Sequence, residues 1–147
     1  MNALYQLQQR PGVLGMFAAA LILVAAHAST AAADQLKVTL SGEQEVPAVK
    51  TSASGSGAIT VNADKTVSGS VTTTGVTGTM AHIHNGAAGS NGPVIIPLTK
   101  SGDGGWTVPA GAKLTDAQYQ AYKAGDLYVN VHSAEHKGGE IRGQLKP

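Results

Sequence analysis

The chain has 147 residues, with 10 basic and 9 acidic side chains and a formal net charge of +1 at pH 7. Its lysines are spread from Lys37 to Lys146 without a basic run, which excludes the clustered positive surface that nucleic-acid binding requires. Cysteine is absent, so disulfides and lipid attachment to cysteine are excluded, and the fold must be held by packing alone or with help from a metal.

The first 33 residues have the pattern of a secretion signal. An apolar run over Val13–Ala26 follows the charge of Arg10, and Ala31–Ala33 offers a cleavage motif, with a cut after Ala28 as the alternative. The run is shorter than the roughly 20 apolar residues that cross a bilayer. We therefore expect residues 1–33 to be a cleaved signal peptide. Residues 34–147 are then one domain in the periplasm or the medium, without a membrane anchor.

The rest of the chain breaks into short segments with period-two alternation, separated by Gly, Ser, Asn and Pro, which indicates antiparallel β structure. A turn at Asn62–Lys65 predicts that the second and third strands form a hairpin. About eight short strands favour an all-β fold, either a two-layer β-sandwich or a closed Greek-key barrel. The predicted strands are Leu36–Leu40, Gly57–Asn62, Thr66–Thr73, Thr79–His84, Val94–Thr99, Trp106–Val108, Leu127–His132 and Glu140–Lys146.

One short helix is predicted near residues 115–124. Thr115 or Asp116 can cap its first turn, and Gly125 provides a C-terminal stop. Tyr119 and Tyr122 lie among its apolar positions.

Four histidines of the domain fall in two groups, His82 with His84 and His132 with His136. Residues two apart in a strand share a face, so His82 and His84 point the same way and can converge on one ion. In the strand that ends at His132, alternation separates an aliphatic face from a polar face that carries this histidine. The sequence therefore predicts a metal site with His82, His84, His132 and His136 as ligands.

Imidazole suits copper, zinc, nickel and iron, and in an exported protein we expect copper, with zinc as the alternative. Binding should weaken as the pH falls through roughly 6.5, where an ordinary histidine gains a proton. Met80 extends the face to a Met-x-His-x-His pattern. Its thioether would favour cuprous copper as a ligand, although a methionine in a strand is usually core filler. The alternative is that His82 and His84 lie on a polar, solvated sheet face, that His132 only bonds a loop carbonyl, and that none of them holds a metal.

Other motifs favour a binding protein over an enzyme. The acidic residues show no paired-carboxylate spacing, and no serine lies in a nucleophile elbow. The Gly-rich segment Asn85–Pro93 does not match a phosphate loop and is expected to close over the end of the His82–His84 strand. Glu45 and Arg142, in the first and last strand blocks, are expected to form a structural ion pair.

Four blocks of the sequence occur in the order Leu40–Pro47, Ala81–Gly86, Gly125–His132 and Gly139–Gln144. Together they resemble the CHRD domain, named for chordin, and this resemblance covers nearly all of residues 34–147. It implies an all-β domain that is often a single secreted domain in bacteria, whereas the animal members bind growth-factor proteins. A protein-interaction module without metal is therefore the alternative function, and another exported protein is an expected partner.

The His-x-His strand, followed by a loop with Gly92 and Pro93, is also similar to the copper strand of copper/zinc superoxide dismutases. The chain has no cysteine for their disulfide, and no His or Asp between Asn85 and Pro97 to hold zinc. This local likeness implies copper on a β-sandwich, and a dismutase-like copper enzyme is the second alternative.

Overall fold

The computed structural model describes residues 34–147, and the predicted signal peptide lies outside them. Nine strands and one α-helix form this part of the chain, and none of its helices is long and apolar enough to cross a membrane. In chain order the elements are β1 (Asp34–Ser41), a short 3-10 helix (Gly42–Gln44), β2 (Ser54–Val61), β3 (Val67–Thr74), β4 (Gly78–Asn85), β5 (Val94–Pro97), β6 (Thr99–Lys100), β7 (Gly105–Thr107), α1 (Asp116–Ala124), β8 (Leu127–Ser133) and β9 (Ile141–Leu145).

All the strand pairs are antiparallel, and the sheet order is β5-β4-β8-β9-β1-β2-β3-β7-β6. The two end strands, β5 and β6, are consecutive along the chain and only Leu98 separates them. The sheet therefore curls into a nearly closed barrel, which confirms the all-β prediction. The predicted hairpin is also present, because β2 pairs with β3 from Val61 opposite Val67 onwards.

The predicted strand Val94–Thr99 is two strands in the structure. Its first part pairs with β4 and its second part with β7, and the backbone N–H of Leu98 donates to the carbonyl of Ala81 at the junction. The change of partner is what brings the two ends of the sheet together. The helix was predicted correctly: Thr115 and Gln118 form a capping box, and Gly125 ends the helix with φ of 79°.

The barrel core consists mainly of aliphatic side chains, as the composition predicts. Strand β8 alternates as expected, with Leu127, Val129 and Val131 in this core and Tyr128 on the outer face. Every residue of β8 is nevertheless buried, because loops cover its outer face as well. The polar face predicted for this strand is therefore largely shielded from solvent.

Candidate metal centre

Three of the four predicted ligands converge on the outer face of the barrel. His82 and His84 extend from β4, and His132 extends from the neighbouring strand β8. One nitrogen from each ring lies within 4.8 Å of the other two. Bound to one ion at about 2.0–2.1 Å each, such nitrogens stand roughly 3.4 Å apart. The three nitrogens are thus close to the spacing that a single shared ion requires.

Backbone carbonyls fix the orientation of two of these rings. His84 Nδ1 lies 2.9 Å from the carbonyl oxygen of Gly92, and His132 Nδ1 lies 2.9 Å from that of Lys137. A carbonyl only accepts hydrogen bonds, so both Nδ1 atoms carry the proton and donate it. In the neutral ring each Nε2 then carries a lone pair, which is the arrangement found in metal-binding histidines. The lone pair of His84 has no hydrogen-bond partner, whereas that of His132 accepts a hydrogen bond from His82.

The Nε2 atom of His84 is buried and has no hydrogen-bond partner. A buried polar atom without a partner is costly, typically by about 1–3 kcal/mol. A metal ion bound to this lone pair would remove that cost. The chemistry of this donor set fits a transition metal.

His82 is the partly exposed member of the group. Its Nδ1 atom lies 2.9 Å from His132 Nε2. Because the His132 nitrogen carries a lone pair, His82 Nδ1 is the donor, and its proton lies between the two rings in the metal-free protein. Binding an ion at His132 Nε2 requires this hydrogen bond to break, because it occupies the His132 lone pair.

The surroundings favour the neutral form of His82 and His84. Burial lowers the pKa of His82 below its ordinary value of 6.5, and the neighbouring His132 and His84 lower it further. Burial also lowers the pKa of His84, although the hydrogen bond to the Gly92 carbonyl and the nearby Asn130 side chain raise it; His132 and Arg142 lower it by smaller amounts. Since metals bind the unprotonated ring, both histidines are in the correct state near neutral pH.

A stack of three side chains supports the site from behind. The rings of His84 and Tyr128 are parallel within 4°, with centroids 4.7 Å apart, and the guanidinium of Arg142 lies 3.4 Å from the Tyr128 centroid. Tyr128 also accepts a hydrogen bond from the backbone N–H of Gly92. Sequence alternation placed Tyr128 on the histidine face, but nothing in the sequence marked it as a support.

Arg142 joins the Gly-rich loop to the sheet. It is only 1% exposed, and it donates hydrogen bonds to the carbonyls of Ala87 and Ser90 and to the side chain of Gln144. The loop that it holds is the one whose Gly92 carbonyl orients His84. Arg142 therefore holds in place the loop that orients His84, as expected for a loop that closes over the histidine strand.

The expected ion pair between Glu45 and Arg142 does not form. Among residues 34–147 the ion pair that forms is Lys65 with Asp116, and the Arg142 guanidinium is used by the loop carbonyls instead. Burial raises the pKa of Glu45 from 4.5 to about 7, although the charge of Arg142 and the Asn130 amide lower it. The prediction was wrong because Glu45 lies beyond the end of β1, after a 3-10 turn, although β1 and β9 are neighbours.

We expect Glu45→Gln to stabilise the domain at high pH. The folded state binds the Glu45 proton more tightly than the unfolded state, so stability is greatest below pH 4.5 and is lost as the pH rises through about 7. The shift corresponds to about 3 kcal/mol, and a buried glutamine amide offsets part of it, so the expected gain is about 2 kcal/mol at pH 8.

Urea denaturation at pH 4 and pH 8 measures this effect, with Glu135→Gln as an exposed control. At pH 4 Glu45→Gln and the parent should unfold at similar urea concentrations. An equal difference between them at both pH values would rule out the raised pKa as its cause.

The structure does not bring His136 into the group. This residue lies in the loop between β8 and β9, where its carbonyl accepts hydrogen bonds from the backbone of Ser133 and Gly139. The same loop supplies the Lys137 carbonyl that orients His132. The loop therefore contributes to the centre through its backbone.

Comparison with known proteins gives one match. The family model of the CHRD domain matches residues 36–145, which is nearly all of the described chain. No curated protein and no solved structure is significantly similar to the chain.

Proposed function

Because this chain belongs to the CHRD domain family, whose domains are extracellular, we propose that it binds a transition metal outside the cytoplasm. The preferred ion is copper, and the ligands are His82, His84 and His132. In the periplasm or the medium, the domain buffers copper or transfers it to another exported protein.

The observation that carries this proposal is the buried, unpartnered Nε2 of His84 beside two further imidazoles. Two of the three rings are held in a metal-binding tautomer by carbonyl oxygens. A set of surface histidines would not bury a ring nitrogen that has no hydrogen-bond partner, as His84 does. This orientation by hydrogen bonds to the second ring nitrogen typically changes metal affinity by about 10–100-fold.

Two properties favour copper over zinc: the usual order of affinities of divalent metals for nitrogen ligands, and the number and exposure of the ligands at this site. Divalent copper binds a given set of nitrogen ligands more tightly than zinc. Structural zinc sites usually have four protein ligands, whereas this centre offers three, and His82 is partly exposed. A site with three ligands, one of them partly exposed to solvent, suits an ion that is taken up and released.

Titration calorimetry of the metal-free exported protein with Cu(II) and with Zn(II) tests the proposal. We expect one copper ion per chain, bound more tightly than zinc. The alternative of a protein-interaction module without metal predicts no saturable binding of either ion, and that result would overturn the proposal.

A further inference from the structure

Met80 lies at the edge of the metal centre and not in the core. On β4 the alternating residues Ala81 and Ile83 are in the barrel core, so Met80 shares the outer face with His82 and His84. It is 51% exposed, and in residues 34–147 it is one of two large hydrophobic side chains that are exposed. The usual role of a strand methionine, filling the core, therefore does not apply here.

The sheet register brings this side chain next to two of the three histidines. Met80 is directly opposite His132 on β8, and His82 is two residues further along the same face of β4. Directly opposed residues on one face have Cβ atoms about 4.5–5.5 Å apart. The methionine side chain has three rotatable bonds, so its sulfur can reach the open edge of the cluster.

We propose that Met80 is a soft ligand that adapts this centre to cuprous copper, acting together with His82 and His132. The inference rests on the proposed function, because it adds a ligand to the same site. A thioether selects Cu(I) and contributes little to the binding of Cu(II) or Zn(II). Met80 therefore determines which oxidation state the site holds best.

The variant Met80→Leu tests this inference, because leucine is similar in size and apolar but has no sulfur. A matched control is Val94→Ala, which alters the other exposed apolar side chain, opposite His84. Cu(I) affinity is measured under anaerobic conditions by competition with a chromogenic cuprous chelator. Cu(II) and Zn(II) affinities are measured by calorimetry on the same samples.

In Met80→Leu we expect Cu(I) to bind about tenfold more weakly and Cu(II) and Zn(II) to bind as in the parent, while Val94→Ala leaves all three unchanged. The midpoint potential of the bound copper couple should then fall by about 59 mV, the equivalent of a tenfold change for one electron. X-ray absorption of the Cu(I) parent should show a sulfur scatterer that is missing in Met80→Leu.

The measurements distinguish a failure of this inference alone from a failure of the proposed function. If the parent binds Cu(II) but Met80→Leu binds Cu(I) as tightly as the parent, or if no sulfur scatterer is seen, the inference is overturned and the histidine site stands. If the parent binds neither Cu(II) nor Zn(II) nor Cu(I), both fail together.

Discussion

Replacing Arg142 with alanine is expected to lower the free energy of unfolding by about 3 kcal/mol. The side chain is fully buried, so its removal leaves a cavity against Tyr128. It also leaves the carbonyls of Ala87 and Ser90 and the amide of Gln144 without their donor. Urea denaturation measures the loss, and an Arg142→Ala protein that unfolds at the same urea concentration as the parent would contradict it.

Arg142→Lys separates the charge from the geometry of the guanidinium. Lysine keeps the positive charge but cannot donate to three acceptors in one plane while lying flat on Tyr128. We expect it to recover only part of the stability and to weaken copper binding by up to about tenfold, because the loop that holds the Gly92 carbonyl is less firmly fixed. Full recovery of both stability and copper affinity would show that only the charge matters.

The second large effect is expected at the ligands themselves. His84→Ala should weaken Cu(II) binding by about a hundredfold, equivalent to about 2.7 kcal/mol, because it removes a ligand that is already oriented and free of hydrogen bonds at Nε2. His82→Ala and His132→Ala should each cost at least about tenfold. Titration calorimetry measures all three.

His136→Ala is the matched control, because it removes a histidine from the same part of the fold but outside the group. Its Cu(II) affinity should equal that of the parent. If His136→Ala and His84→Ala weaken binding equally, copper is held by exposed imidazoles in general and not by this centre.

The pH dependence follows from the same geometry. Burial lowers the pKa of His82 and His84 below 6.5, so protons compete with the metal only in more acidic solution than they would at an ordinary histidine. Copper affinity should therefore fall on acidification at a lower pH than the roughly 6.5 that the sequence alone predicts.

Much of the site could be predicted from the sequence because it depends on alternation. Period two places His82 and His84 on one face, and it places His132 on the outer face of β8. The pairing of β4 with β8 in the sheet then brings the three histidines together. The short helix was equally clear, because its capping residue and its terminal glycine are local signals.

The remaining features depend on contacts between distant parts of the chain. The break at Leu98 reflects a change of pairing partner, which leaves no mark in the local sequence. The groups that orient His84 and His132 are backbone carbonyls, which every residue has. The strand that contains Arg142 was predicted correctly, but its predicted partner, Glu45, was wrong. The true acceptors include loop carbonyls, which the sequence does not mark.

The central claim is that one ion is held between three histidines. Crystals of the protein grown with Cu(II), measured at the copper absorption edge, test this claim most directly. We predict one anomalous peak at about 2.0–2.1 Å from a nitrogen of each of His82, His84 and His132. An empty cluster, with the anomalous signal at His136 or elsewhere on the surface, would contradict it.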